Sequence, residues 1–428
     1  MGSYSSNYLR LLSYTKLLAS HVNNGRHHKA LTLFHQIHSS LSLCLDPFVF
    51  PLALKACSSL HCPAMGTSIH SLTYKWSFIS NPFVASALVD MYGKCISISS
   101  ARQLFDEIPE RNAVVWNSMI SLYAHCNDMD NALELFKVMD VMPSVSSFNS
   151  IIAGLLEMED GFFKAIAFYR RMLEMGLMPN LITVLALLRA CLGIAALSLI
   201  REIHGYSIRN EIEPNLHLRS GLVEAYGRCG CLRNADVVFQ QMRERDAVAW
   251  SSLISAYALQ GEARIALKIF AQMELANVKP DGITFLAVLK ACSHAGLADE
   301  ARMYFTRIQN RYGVEANSDH YACLVDVLSR AGRLHEAYEV IKGMPVQVTV
   351  KAWGAFLGAC RTYGEVKLGE IAGRALLEME PDNPANYVIL ARLYANSGRS
   401  TEAENVRREM KARGLRASPG SSWTIHQN

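Results

Sequence analysis

Residues 93–116 (GKCISISSARQLFDEIPERNAVVW) and 227–250 (GRCGCLRNADVVFQQMRERDAVAW) align without a gap at an offset of 134. Cys95 matches Cys229, Ala101 matches Ala235, Phe105 matches Phe239 and Trp116 matches Trp250. A chain that repeats itself is built as a stack of units, each leaning on its neighbours, rather than as closed globules. One difference stands just before the shared Ala-Val: Asn112 in the first copy and Asp246 in the second.

A short phrase of the form V-x-W-N-x-x-I gives the register. It is clearest at Val114, Ser146 and Val248, and weaker forms fill the gaps. The fourth residues of the phrases are Thr15, Pro51, Ser86, Asn117, Asn149, Leu185, Ser220, Ser251, Leu286 and Ala322. Their spacings are 36, 35, 31, 32, 36, 35, 31, 35 and 36 residues, so longer and shorter units alternate in order. Within a unit the apolar residues follow a helical period, and a polar or glycine-containing turn splits them into two segments. In the unit beginning at Ala247 the break falls at Gln260-Gly261, the second helix runs from about Ala263 to Leu275, and Pro280 ends it. Each unit is therefore expected to be a helix–turn–helix hairpin, and the whole an all-α solenoid.

Half of the 428 residues are hydrophobic and 19% are charged, which leaves ample apolar surface to bury. The net charge of +4 permits a polyanionic partner without demanding one. The eleven cysteines are scattered singly, and Cys57, Cys191, Cys292 and Cys360 each follow an alanine in a repeated phrase, a pattern of buried thiols. There is no Cys-x-x-Cys pair, and the lone Cys229-x-Cys231 has no second pair to complete a zinc site. The apolar stretch from Gly176 to Ile200 carries Pro179, Asn180 and a central Arg189, so it reads as buried helices rather than a membrane span. No Asp or Glu precedes Asp46, whereas Arg10, Lys16, Arg26, Lys29 and many serines do, the composition of an organelle-import segment.

The phrases LVDMYGKC, ARQLFDEIPERNAVVWNSMIS, LKACSSL and DHYACLVDVLSRAGRLHEAYEVIKGMP resemble plant pentatricopeptide-repeat proteins of the PLS class, from about Leu11 to Trp423. The resemblance implies a right-handed superhelix of ten repeats: 11–46, 47–81, 82–112, 113–144, 145–180, 181–215, 216–246, 247–281, 282–317 and 318–349. Residues 1–10 would precede the array. Val350–Asn383 and Pro384–Ala417 look like the first and second E motifs, and residues 418–428 like the start of an E+ extension. Family members that carry a DYW deaminase domain use His-x-Glu and Cys-x-x-Cys to hold zinc and shuttle the proton. This chain has neither, since His335-Glu336 is adjacent and is expected within a repeat turn. No catalytic residue, metal or cofactor is implied.

In this family each repeat faces one RNA base through its fifth and last residues. The resemblance thus assigns base readout to Thr15/Asp46, Ser86/Asn112, Asn117/Ser144, Asn149/Asn180, Ser220/Asp246 and Ser251/Asp281. An Asp carboxylate only accepts hydrogen bonds and suits G or U, whereas an Asn amide can donate and suits A or C. The long repeats offer Pro51/Asn81, Leu185/Asn215 and Leu286/Asn317, whose apolar fifth residue makes no such contact, and Ala322/Thr349 is not decodable. The preferred single-stranded RNA, 5′ to 3′, reads G-n-A-C-Y-n-G-G-n-n. The second residue of a unit wedges between bases in this family; here it is apolar at Leu12, Phe48, Phe83, Val114, Ile182, Val248 and Ile283. Ser146, His217 and Asp319 depart from that pattern. The competing account of a Ser, Asn or Asp at a helix start is a simple N-cap.

Three functions are compatible with this reading. The first is site recognition in organellar C-to-U editing, with the tetratricopeptide-like C-terminal units recruiting a deaminase in trans. The second is RNA stabilisation, processing or splicing, and the third is a protein scaffold. The paired code residues speak against the scaffold and the E motifs favour editing. The organelle is expected to be the mitochondrion, with the chloroplast as the alternative.

Overall fold

The computed structural model describes residues 2–40, 46–212 and 214–416. Among the described residues there are twenty-four helices and no strand. The first hairpins are α1 (Gly2–Asn23) with α2 (His27–Ser40), α3 (Val49–Leu60) with α4 (Pro63–Lys75), and α5 (Pro82–Cys95) with α6 (Ile98–Glu107). They are followed by α7 (Ala113–His125) with α8 (Met129–Val138), α9 (Val145–Leu155) with α10 (Gly161–Glu174), and α11 (Leu181–Ile194) with α12 (Leu197–Arg209). Next come α13 (Leu216–Arg228) with α14 (Leu232–Gln241), α15 (Ala247–Leu259) with α16 (Ala263–Leu275), and α17 (Gly282–Ala295) with α18 (Ala298–Asn310). The last are α19 (Ser318–Arg330) with α20 (Leu334–Gly343), α21 (Val350–Tyr363) with α22 (Val366–Met379), and α23 (Pro384–Asn396) with α24 (Ser400–Ala412). The expected E+ start at 418–428 lies outside the described residues.

The chain forms two compact units, one of residues 1–194 and 205–212 and one of residues 195–204 and 213–428. In the first unit the odd-numbered helices α1, α3, α5, α7, α9 and α11 stack in sequence, and α1, α3, α5, α7 and α9 each pack on their hairpin partner. In the second, α13, α15, α17, α19, α21 and α23 do the same. Within each unit, successive hairpins thus bury apolar surface against one another.

The sequence of one hairpin explains both of its helices. In α15, Ala249, Trp250, Leu253, Ile254, Ala256 and Tyr257 are all buried, because neighbouring hairpins cover it on more than one side. Its partner α16 buries only Ala263, Ala266, Ile269, Phe270 and Met273, a single face. Between them Gly261 adopts φ +81, a left-handed conformation that glycine supplies without steric cost. The core carries Phe50, Phe105, Phe148, Phe239, Phe270, Phe285 and Phe356 fully buried, each stabilising by about 1.5–3 kcal/mol.

The short repeats add a device that the duplicated phrase spells out. Arg111 lies 4.7 Å over the Phe105 ring and donates to the carbonyls of Phe105 and Asp106, both at 2.8 Å. Its counterpart Arg245 lies 4.6 Å over Phe239 and donates to the Phe239 carbonyl at 3.1 Å. The guanidinium closes the C-terminus of α6 or α14 just before the chain enters the next unit.

Several sequence expectations meet the structure here. The apolar stretch 176–200 is interrupted between α11 and α12 at Ala195, where φ is +50, and no described helix is long and apolar enough to cross a membrane. Cys57, Cys191, Cys292 and Cys360 are buried, and burial pushes the thiols of Cys57, Cys292 and Cys360 up to about 12. Helix α1 runs from Gly2 to Asn23, so it includes most of residues 1–10 as well as the start of the first repeat. His335 and Glu336 do not sit in a turn: they occupy the first turn of α20. Hydrogen bonds from Arg333 hold the Glu336 carboxyl below its ordinary range, and Arg302 adds to the effect.

Candidate nucleic-acid interface

The last residue of one repeat is the N-cap of the next repeat's first helix, which fixes where its side chain stands. Asn112 caps α7, its Oδ1 accepting from the Val114 and Val115 amides at 3.0 and 3.2 Å. Asp246 caps α15 through Oδ1, which accepts from Ala249 N at 2.8 Å. Ser144 caps α9 in a reciprocal pair with Ser147, and Asp281 caps α17 in one with Thr284. Asn180 accepts from Thr183 N at 3.1 Å at the start of α11. Asp46 differs, since its Oδ1 accepts from Phe48 N at 3.0 Å in a turn and does not cap α3.

Three of the assigned pairs are brought into direct contact. Asn117 Nδ2 donates to Ser144 Oγ at 3.1 Å, Asn149 Nδ2 to Asn180 Oδ1 at 3.2 Å, and Ser220 Oγ to Asp246 Oδ1 at 2.9 Å. Ser86 instead bonds Ser118 of the next unit at 2.6 Å. Ser251 donates to the Val248 carbonyl at 3.1 Å, within its own helix. Thr15 lies mid-helix in α1 and is half-buried.

The cap decides which atom of the last residue is left over. A backbone N–H requires an acceptor, so the cap takes Oδ1 of both Asn112 and Asp246. What remains is Nδ2 on Asn112, a donor, and Oδ2 on Asp246, an acceptor. The amide of Asn112 cannot turn over without placing N–H against N–H. Capping and readout are therefore not alternatives: the cap orients the atom that a ligand would meet. The pattern did not reveal the neighbouring hydroxyls that complete these networks. Thr183 Oγ1 donates to Asn149 Oδ1 at 2.7 Å, and Ser118 also donates to the Val114 carbonyl at 3.0 Å. Their only sequence signal is a Ser or Thr at the third or sixth residue of a unit.

The seven apolar second residues all face solvent. Exposure is 41% for Leu12, 38% for Val114, 51% for Val248 and 65% for Ile283, and Phe48, Phe83 and Ile182 exceed half. An apolar side chain left outside at the same place in successive hairpins marks a contact surface. The rings of Phe48 and Phe83 lie 6.4 Å apart. Where Ser146 replaces the apolar residue, a groove of about 550 Å³ opens beside Asn149, bounded by Ser150, Gly154 and Ile182.

With this geometry in place the comparisons with known proteins are direct. A PPR repeat model matches residues 12–40, 114–142, 220–246, 283–312 and 319–346, and a PPR repeat family model matches 245–294. A putative pentatricopeptide repeat-containing protein of Arabidopsis thaliana is 59% identical over 427 residues, covering 100% of both chains. The chain belongs to the pentatricopeptide-repeat family.

An E motif model matches residues 363–425 of this pentatricopeptide-repeat protein, from the end of α21 onward. Two further Arabidopsis relatives are named as mitochondrial and chloroplastic. They are 34% and 33% identical over 97% and 96% of this chain, which spans 61% and 44% of their lengths. The pentatricopeptide repeat protein PPR10, solved in complex with an 18-nt psaJ RNA element, shares the solenoid fold. That match has a TM-score of 0.72 at 17% identity and covers 94% of this chain and 60% of PPR10. Among the described residues no group of three His, Cys, Asp or Glu side chains is placed to hold a metal ion. In the long repeats Asn81, Asn215 and Asn317 cap α5, α13 and α19 just as the assigned readers do, so a cap alone does not mark a reading repeat.

Proposed function

We propose that this protein binds a single-stranded organellar RNA of the form G-n-A-C-Y-n-G-G-n-n and marks a site for C-to-U editing, recruiting a deaminase in trans through residues 350–417. The observation that carries the RNA reading is the coincidence of two features on the first helices. Capped Asn and Asp side chains leave one defined polar atom over, and exposed apolar residues stand three positions before the fifth residues Thr15, Ser86, Asn117 and Ser251. Bases stack on such apolar side chains and are chosen by the polar ones. The E motif match supports editing over stabilisation or splicing. The mitochondrion is the proposed compartment, with relatives named for both organelles.

A comparison of organellar transcripts in a loss-of-function plant tests this. Loss of one C-to-U change is expected; altered transcript ends or unspliced introns, with every edited site intact, would replace editing by RNA maturation. The purified protein is expected to leave cytidine in the bound RNA unconverted, because no His-x-Glu or Cys-x-x-Cys is present in the chain. Conversion by rigorously pure protein would refute the need for a partner enzyme.

A further inference from the structure

The three long repeats have no polar fifth residue, yet they share a feature that the other seven repeats lack. Their ninth residues are Lys55, Arg189 and Lys290. The ninth residues of the remaining repeats are Ala19, Asp90, Ser121, Ala153, Glu224, Ser255 and Asp326, none of them basic. The cation lies on the first helix of its hairpin, four residues beyond Pro51, Leu185 or Leu286 and seven beyond the exposed Phe48, Ile182 or Ile283. Offsets of three, four and seven keep all three positions on one helical face. The cation therefore stands on the face that carries the exposed apolar residue.

These cations are exposed and available. Lys55 and Lys290 are solvent-exposed, and their ammonium groups form no ion pair with a described carboxylate. Arg189 meets Glu157 at 2.9 Å, but both side chains are more than half exposed, so the pair holds the guanidinium weakly. The short repeats are built the opposite way. There the ninth residue is acidic and binds a cation of its own helix, Asp90 to Lys94 at 2.8 Å and Glu224 to Arg228 at 3.1 Å.

We propose that the long repeats are not passive spacers but phosphate grips: Lys55, Arg189 and Lys290 each neutralise a backbone phosphate of the bound RNA at a position where no base is read. This rests on the RNA-binding reading above and assigns the unread positions of the recognised sequence to sequence-independent contacts. A cation that contacts phosphate contributes affinity without information. The arrangement places gripping repeats between groups of reading repeats along the strand.

The salt dependence of binding by the full chain tests the inference. Affinity for the decoded single-stranded RNA, and for one with its A-C step changed, is measured across a series of salt concentrations. In Lys55→Gln and in Lys290→Gln the slope of log affinity against log salt should become shallower by about 0.7 each, the counterion release of one single-strand phosphate contact. The double variant should lose about twice that, and the ratio between the two RNAs should stay at the wild-type value. Lys55→Arg should keep the slope. Lys268→Gln, on the second helix of a hairpin, controls for net charge and should leave it unchanged. An unaltered slope in Lys55→Gln and Lys290→Gln would overturn the inference, as would an equal change in Lys268→Gln. If wild-type protein does not prefer the decoded RNA, the base-reading assignment fails instead, while the slopes still report on the phosphate contacts.

Discussion

Removing residues 350–428 is expected to abolish editing of the target site in plants while leaving affinity for the decoded RNA nearly unchanged. In the second unit α21 packs on α19 and α20, and α22, α23 and α24 follow only one another and α21. In a solenoid each hairpin touches mainly its neighbours, so loss of the last two need not unfold those before them. These two hairpins also lack the features of a reading repeat, since their fifth positions are Gly354 and Val388, neither of which carries a polar side chain. Truncation uncovers the apolar surface of α19 and α20, so the shortened protein must first show cooperative helical melting. If it melts normally and no longer binds RNA, residues 350–417 contact RNA and the recruiting role assigned to them is wrong. If it binds RNA and still supports editing, recruitment lies elsewhere in the chain.

The fold was legible because each hairpin is specified locally. The apolar period, the turn at Gln260-Gly261 and the end of α16 at Leu275 all follow from residues within one unit, and the structure places them there. What depends on a neighbouring unit was less legible. Ser86 and Ser220 occupy the same position of two short repeats, yet one bonds Ser118 and the other Asp246. Nothing in either phrase announces that difference, since it is settled by side chains thirty-two and twenty-six residues away. The use of Oδ1 by the caps at Asn112 and Asp246 was also hidden, because a sequence shows that a residue can cap a helix but not which of its atoms the cap consumes.

Exchanging Asp246 for Asn is expected to shift preference at its base from G to A. Oδ1 of Asp246 accepts from Ala249 N at 2.8 Å and from Ser220 Oγ at 2.9 Å, and an Asn side chain can keep both bonds. Asn and Asp are comparable N-caps, so helix α15 should form as before. The single change is at the remaining atom, where an acceptor becomes a donor. Guanine presents N–H groups to that atom, and adenine presents the N1 acceptor. Each well-made base contact discriminates by about 1–3 kcal/mol, so the exchange should lose that amount on the G-containing RNA and gain a similar amount on the A-containing one. Binding to RNAs differing only at this base measures it. Equal losses on every RNA would mean that Asp246 serves the stability of α15 alone. The mirror exchange, Asn112→Asp in the other copy of the duplicated phrase, should move preference from A to G. It is the stricter case, because Ser86 does not bond Asn112 and Asn112 alone would then decide the base.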